Sequence, residues 1–313
     1  MRMRAIAMLL AIGTLTGCGP DEPPDPATLP LPDIIASNAF YYYDDLDTAW
    51  AFYRDTLGFE TVVDYGFAKI LRVADSSYLT LVNAADGMHS SAEPKTVALT
   101  LLTNTLPNWH AYLGSKGIVT RISFDPRRDK KPVSFAIEDP EGYLLRFENA
   151  EPGSNGGSLP SAPDVESLMT SVSSDANALD VSGTIYAVYM ENVDDTLAFY
   201  RRLFGKSELV GGAWAAVFDI TPSSYLALVD GGDDLHSPTE QNGVTLSFFT
   251  SDVDGWFERA RNIEGFELRA DEIFDESGMV RVFVGYDPEG YFLEWDTFGE
   301  RADNRVLLRY LNR

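Results

Sequence analysis

From residue 39 the chain alternates between two hydrophobic rhythms. An apolar run at 39–43 is followed by Trp50, Tyr53 and Leu57 at helical spacing, with Asp47 placed to cap the helix and Gly58 to stop it. Three runs rich in β-branched and aromatic residues come next, TVVDY, FAKILRVA and SYLTLVN, separated by turn formers, and these predict strands. The unit is therefore βαβββ. A second unit opens with TVALTLLT at 96–103, passes through a helix carrying Trp109 and Leu113, and ends in VTRISF, PVSFAIED and YLLRFENA.

The whole pattern then recurs. A shift of 147 residues lays AWAFYRDTLGF (49–59) on TLAFYRRLFGK (196–206), SSYLTLVNAADGMHSS (76–91) on SSYLALVDGGDDLHSP (223–238), and Trp109 on Trp256. By DPEGYLL (139–145) and DPEGYFL (287–293) the shift is 148, so these are two copies of one domain, at 34–150 and 182–299. In both, Asp-Pro-Glu-Gly joins the last two strands, with Pro fixing φ at the second turn position and Gly closing the turn. Residues 151–181 are rich in Gly, Ser, Pro and Asp and read as a linker. The end, 300–313, predicts a helix with Arg301, Arg305, Arg309 and Arg313 on one stripe. That stripe suits a solvated face or anchorage against an acidic domain, with anionic lipid as the alternative partner.

Composition narrows the partners. At 313 residues and 45% hydrophobic, the chain has apolar material for a core in each copy. Its 48 acidic against 24 basic side chains, a net charge of −24, exclude nucleic acid, which needs a basic face to displace counterions. Residues 1–17 place Arg2 and Arg4 before an apolar run at 5–15, too short for a bilayer span and suited to a secretory signal peptide. They lead into Leu15-Thr16-Gly17-Cys18, which resembles a bacterial lipobox and makes Cys18, the only cysteine, the expected lipidation site. No intramolecular disulfide is then expected. Residues 18–33 form a Pro-rich tether, and Gly19 in place of Asp after the cysteine points to the outer membrane, facing the periplasm.

The order strand, AFYRDTLGF helix, three strands, and a second such unit closing in DPEGYLLRF, all of it twice, resembles the vicinal oxygen chelate superfamily of glyoxalases, bleomycin-resistance proteins and extradiol dioxygenases. The resemblance implies an α+β fold: two tandem domains, each of two βαβββ modules forming a curved, cup-like mixed sheet whose concave face holds the ligand. It also implies a divalent metal held by His or Gln on the first strand of each module and by Glu near the module ends. Counting from the motifs puts Asn38, Thr96 and Arg146 at those positions in copy one, and Ile185, Gly243 and Glu294 in copy two. Only Glu294 keeps the family's residue type, so no metal or other cofactor is expected.

Two further features repeat. His89 and His236 recur at the same offset in the acidic loop after SYLxLV, where they read as loop residues satisfying groups at the module junction, with a functional role as the alternative. Phe67 and Trp214 also match, each at the start of a strand, where a planar ligand could stack; core packing is the default for such rings. His110 has no counterpart and reads as a packing or surface residue. Copy two, with Glu294, Trp214, Ile185 and Gly243, is expected to hold the ligand, while Asn38, Thr96 and Arg146 give copy one a more polar and crowded floor.

These features together point to a lipid-anchored, metal-free protein that binds a small organic ligand in a sheet cup. One alternative is a divalent-metal-dependent lyase, isomerase or dioxygenase with a site rearranged around Glu294 and His236 or His89. The other is a structural envelope protein with silent cups. No nucleophile elbow, phosphate-cradling loop or CxxC pair supports hydrolase, nucleotide or redox chemistry.

Overall fold

The computed structural model describes residues 30–124, 132–149, 179–212, 215–231 and 236–313. The expected signal peptide, Cys18, Trp214 and most of the expected linker lie outside the described residues. The first module comprises β1 (Ala36–Tyr43), α1 (Leu46–Ala51, continuing as a π turn over Phe52–Thr56), β2 (Glu60–Asp64), β3 (Ala68–Ala74) and β4 (Ser77–Asn83). The second has β5 (Val97–Thr103), α2 (Leu106–Ser115), β6 (Arg121–Phe124), β7 (Pro132–Glu138) and β8 (Leu144–Asn149). Copy two follows with β9 (Gly183–Met190), α3 (Val193–Phe204), β10 (Val210–Gly212), β11 (Ala215–Thr221) and β12 (Ser224–Asp230). Its second module holds β13 (Val244–Phe249), α4 (Val253–Ala260), β14 (Glu267–Leu268), β15 (Phe274–Asp275), β16 (Val280–Tyr286) and β17 (Phe292–Phe298), and α5 (Arg305–Leu311) ends the chain.

Local chemistry sets the helix ends. Asp45, not Asp47, caps α1, because its carboxylate accepts the Thr48 backbone N–H at 3.0 Å, whereas Asp47 already lies in the first turn. Asn192 caps α3 in the same way, and Gly205 ends that helix at φ 62°, a left-handed conformation that favours glycine.

The modules exchange partners between the copies. Sheet one runs β14-β16-β17-β13-β1-β4-β3-β2, with β15 beside β16, so it joins the first module of copy one to the second module of copy two. Sheet two runs β10-β11-β12-β9-β5-β8-β7-β6 and joins the other two. The junctions are antiparallel, β1 on β13 and β5 on β9. The expectation that each copy makes its own cup is therefore corrected. Pattern could not distinguish the partners, because β5 and β13 present the same strand rhythm to whichever open edge is available.

Within a copy the two modules still touch, through the DPEGY turn. The Asp139 carboxylate accepts the hydroxyls of Tyr43 at 2.6 Å and Tyr53 at 3.0 Å, and the Glu141 carboxylate accepts the backbone N–H groups of Asp44 and Asp45 that lead α1. Asp287 with Tyr200, and Glu289 with Glu191 and Asn192, repeat the arrangement. The tyrosine of the motif reaches across copies: Tyr143 Oη accepts Tyr42 N–H at 2.9 Å and donates to the Gly243 carbonyl at 2.7 Å, as Tyr291 does for Tyr189 and Thr96. Odd-numbered β1 residues Ala39, Tyr41 and Tyr43 then share one core with Leu99 and Leu101 of sheet two.

The repeated Ser-Ser-Tyr-Leu has a structural reason. Ser76 bonds Ser223 at 2.9 Å, Ser77 bonds Thr184 at 2.5 Å and Ser37 bonds Ser224, a hydroxyl cluster where the two sheets meet. Buried hydroxyls need partners, and each copy supplies those of the other. Residues just before each copy make equivalent contacts. Asp33, at the end of the tether, accepts Ser251 N–H and the Trp256 indole N–H donates to its carbonyl, and Asp180 serves Asn104 and Trp109 equivalently. Among the described residues no helix is long and apolar enough to cross a membrane.

Candidate functional site

The even-numbered residues of β1 face away from the shared core and form the concave floor of sheet one. Asn38 stands opposite Ser247 on β13, and Ser247 is in register with Glu294 on β17, so three strands bring these side chains into line. Asp296 lies two residues further on, on the same face as Glu294. Around this floor is a cavity of about 540 Å³, within the usual range for a small-molecule site. Its walls are apolar and aromatic, with Phe40, Tyr42 and Phe249 inside and the exposed rings of Phe67 and Phe274 at the mouth. One rim comes from copy one and the other from copy two.

The C-terminal helix packs against sheet one beside this cup. Leu307 is fully buried against Ile70, Tyr78 and Phe249, and Asn304 donates to the carbonyls of Met279 and Gly299 while accepting the Tyr65 hydroxyl. Arg301, Arg305, Arg309 and Arg313 remain exposed, so α5 anchors through its apolar side rather than through its arginine stripe.

The polar groups on the floor are unusual. Glu294 and Asp296 are both buried, at 6% and 3% exposure. Burial, and then the charge of Asp296, pushes the Glu294 carboxyl well above the usual range. Burial likewise pushes Asp296 up to about 7, against the pull of the hydrogen bond donated by Ser247 Oγ at 2.5 Å. Asn38 is 1% exposed; its Oδ1 accepts the Thr80 hydroxyl at 3.0 Å, but its Nδ2 has no partner. A buried donor left unbonded costs about 1–3 kcal/mol unless something else meets it.

Sheet two treats the equivalent positions differently. Ile185 stands where sheet one has Asn38, Thr100 where it has Ser247, and Arg146 and Glu148 where it has Glu294 and Asp296. Arg146 donates to Ser134 Oγ at 3.0 Å and pairs with Glu148 at 3.6 Å, while Ile185 packs with Ala98, Leu144, Val217 and Val229.

The residues singled out from sequence are thus divided. Asn38 and Glu294, assigned to different copies, share one cup; Ile185 and Arg146 share the other. The expectation that copy two alone holds the site is corrected, because neither copy closes a cup by itself. Gly243 and Thr96 are in neither floor. Both sit at the crossing between copies, where a Cβ on Gly243 would meet the Pro94 carbonyl at 3.1 Å, so this glycine allows close backbone approach rather than opening ligand volume. His89 lies beside the cup and outside its lining. Its Nδ1 meets Glu93 at 2.7 Å, its ring packs on Tyr42 and Phe292, and burial lowers its pKa against the pull of Glu93. His236 packs on Tyr189 in the equivalent place. The sequence count missed Ser247 and Asp296. Asp296 was within reach, since an acid two places from Glu294 on a strand must share its face.

Residues 35–147 match the Glyoxalase/Bleomycin resistance protein/Dioxygenase superfamily. The chain carries a match to that superfamily over these residues, which make up most of copy one. Its fold is similar to glyoxalase I from Zea mays, at 14% identity and a TM-score of 0.58, covering 90% of this chain and 95% of that one. It is also similar to a Bacillus subtilis protein named "putative dioxygenase", at 11% identity and a TM-score of 0.57, covering 87% and 86%. At these identities the likeness is one of fold. No curated protein matches the chain.

The metal that the glyoxalase superfamily implies can be tested against the residues present. Among the described residues, no group of three or more His, Cys, Asp or Glu side chains could hold a metal ion. The floor offers two carboxylates on one strand, both driven toward neutrality by burial, with a carboxamide and a hydroxyl beside them. That donor set does not fit a catalytic divalent ion, which needs several ionised or imidazole ligands converging from different strands.

Proposed function

We propose that this protein binds a small organic ligand, with aromatic or flat apolar character, in the cup of sheet one. The observation that supports this most is the cavity of about 540 Å³ whose aromatic walls surround the buried carboxyls of Glu294 and Asp296. Apolar walls supply affinity and a few fixed polar groups supply orientation, which is the ordinary construction of a ligand pocket. The mismatch of the floor with a metal favours this reading over metal-dependent catalysis.

The test is a thermal-shift screen of the full chain, with each hit measured again on three variants. Ala68→Trp fills the cavity, because Ala68 is a buried wall residue, and should remove at least about 90% of a ligand's stabilisation. Glu294→Gln should weaken it, and Arg146→Ala should leave it unchanged. Stabilisation that survives Ala68→Trp but vanishes with Arg146→Ala would move the site to sheet two.

We further propose that Cys18 carries the lipid that holds the protein to the outer membrane. Cys18→Ser should shift the protein from the membrane fraction to the soluble periplasm, since acyl chains are the only anchor this reading allows. Persistence of the variant on membranes after a salt wash would overturn the anchor and turn attention to the exposed arginine stripe of α5.

A further inference from the structure

The charge and shape of the sheet-one cup say more about what enters it. Four carboxylates line the cavity, Asp86, Glu276, Glu294 and Asp296, against one guanidinium, Arg269. Arg269 acts on the floor only from a distance: its charge pulls the Glu294 carboxyl down against the larger effects of burial and Asp296, while its Nη1 contacts the Met88 sulfur and its guanidinium lies 5.9 Å over the Phe292 ring. The two floor acids are buried, and the described contacts give neither of them a cationic partner. The aromatic walls add to this field, because the faces of Phe and Tyr rings are negative and attract cations. Asn38 lies just behind this lining, bonded to the cavity residue Thr80 and on the same strand face as Phe40 and Tyr42, with a 1% exposed amide whose Nδ2 has no partner in the protein. Sheet two shows the contrasting case. There Arg146 lies beside Glu148, so an internal cation occupies the place that sheet one leaves open.

We infer that the sheet-one cup takes an organic cation, an amine or amidine nitrogen on a compact apolar body, with the nitrogen on the Glu294 and Asp296 carboxylates and the body among the rings. This rests on the reading of that cup as the ligand site and adds the class of ligand. The cation stands in for the partner that Arg146 supplies to Glu148 in the other sheet. An anion is disfavoured by the exposed Asp86 and Glu276, and a bound cation favours the ionised form of the two floor acids that burial opposes, which a neutral ligand does not.

The test uses three probes of one shape: benzamidine as the cation, benzamide as its neutral counterpart and benzoate as the anion. Binding to the full chain is measured by calorimetry at about pH 8 on the native sequence, the Glu294→Gln/Asp296→Asn variant and Ala68→Trp. The expected result is benzamidine binding at least about tenfold tighter than benzamide, with benzoate weakest. The amide variant should weaken benzamidine about tenfold or more and leave benzamide within about twofold. If that variant does not fold, the native ratio of benzamidine to benzamide decides the question. Equal binding of the two, both lost in Ala68→Trp, would overturn the cation class and leave the cup as the ligand site. Benzamidine binding that survives Ala68→Trp would overturn both. No saturable benzamidine binding up to about 10 mM would overturn the inference.

Discussion

The Glu294→Gln/Asp296→Asn double variant is expected to be more stable than the native protein above about pH 7, and no more stable near pH 4. The sign follows from the direction of the shifts. Both carboxyls have folded-state pKa values raised above those of the unfolded chain, so the folded state prefers them protonated. Their contribution is fully present below the unfolded values near 4 and is lost as pH rises through about 7, the folded value of Asp296. Amides of the same shape carry no proton to lose. Asp287 is also raised to about 7 by burial and is present in both proteins, so the variant should keep some slope of its own. Chemical denaturation at a series of pH values from about 4.5 to 8 measures this, and parallel curves for the two proteins would contradict the account of the floor.

The elements of this fold were legible because their signals are local. Trp50, Tyr53 and Leu57 mark a helix face, Gly58 and Gly205 end helices, and Asp-Pro-Glu-Gly fixes a turn, whatever the rest of the chain does. One local error, Asp47 for Asp45, came from reading a first-turn acid as a cap. What could not be read was which edge meets which. The β1 edge accepts β13 and not β5 although both strands carry the same pattern, and that choice decides whether Glu294 sits with Asn38 or with Ile185. It also explains why counting from motifs reached Gly243 instead of Ser247. The count treated the start of the second module as cup floor, whereas the chain there is still crossing between copies, pinned by Tyr143. The position opposite Asn38 comes four residues later, and only strand register reveals it.

The second large effect is a cross-link. If the cup is built from halves of different copies, cysteines at 38 and 247 face one another across an antiparallel pair, while cysteines at 38 and 100 lie in different sheets. Directly opposed residues of such a pair have Cα atoms about 4.5–5.5 Å apart, within disulfide reach. Thr100 is the residue of copy one that corresponds to Ser247, so it would face Asn38 if each copy closed on itself. The measurement is non-reducing gel mobility after mild oxidation, in a Cys18→Ser background, of Asn38→Cys/Ser247→Cys beside Asn38→Cys/Thr100→Cys. The account predicts a compact, reducible species for the first pair and none for the second, and a cross-link in the 38–100 pair without one in the 38–247 pair would contradict it.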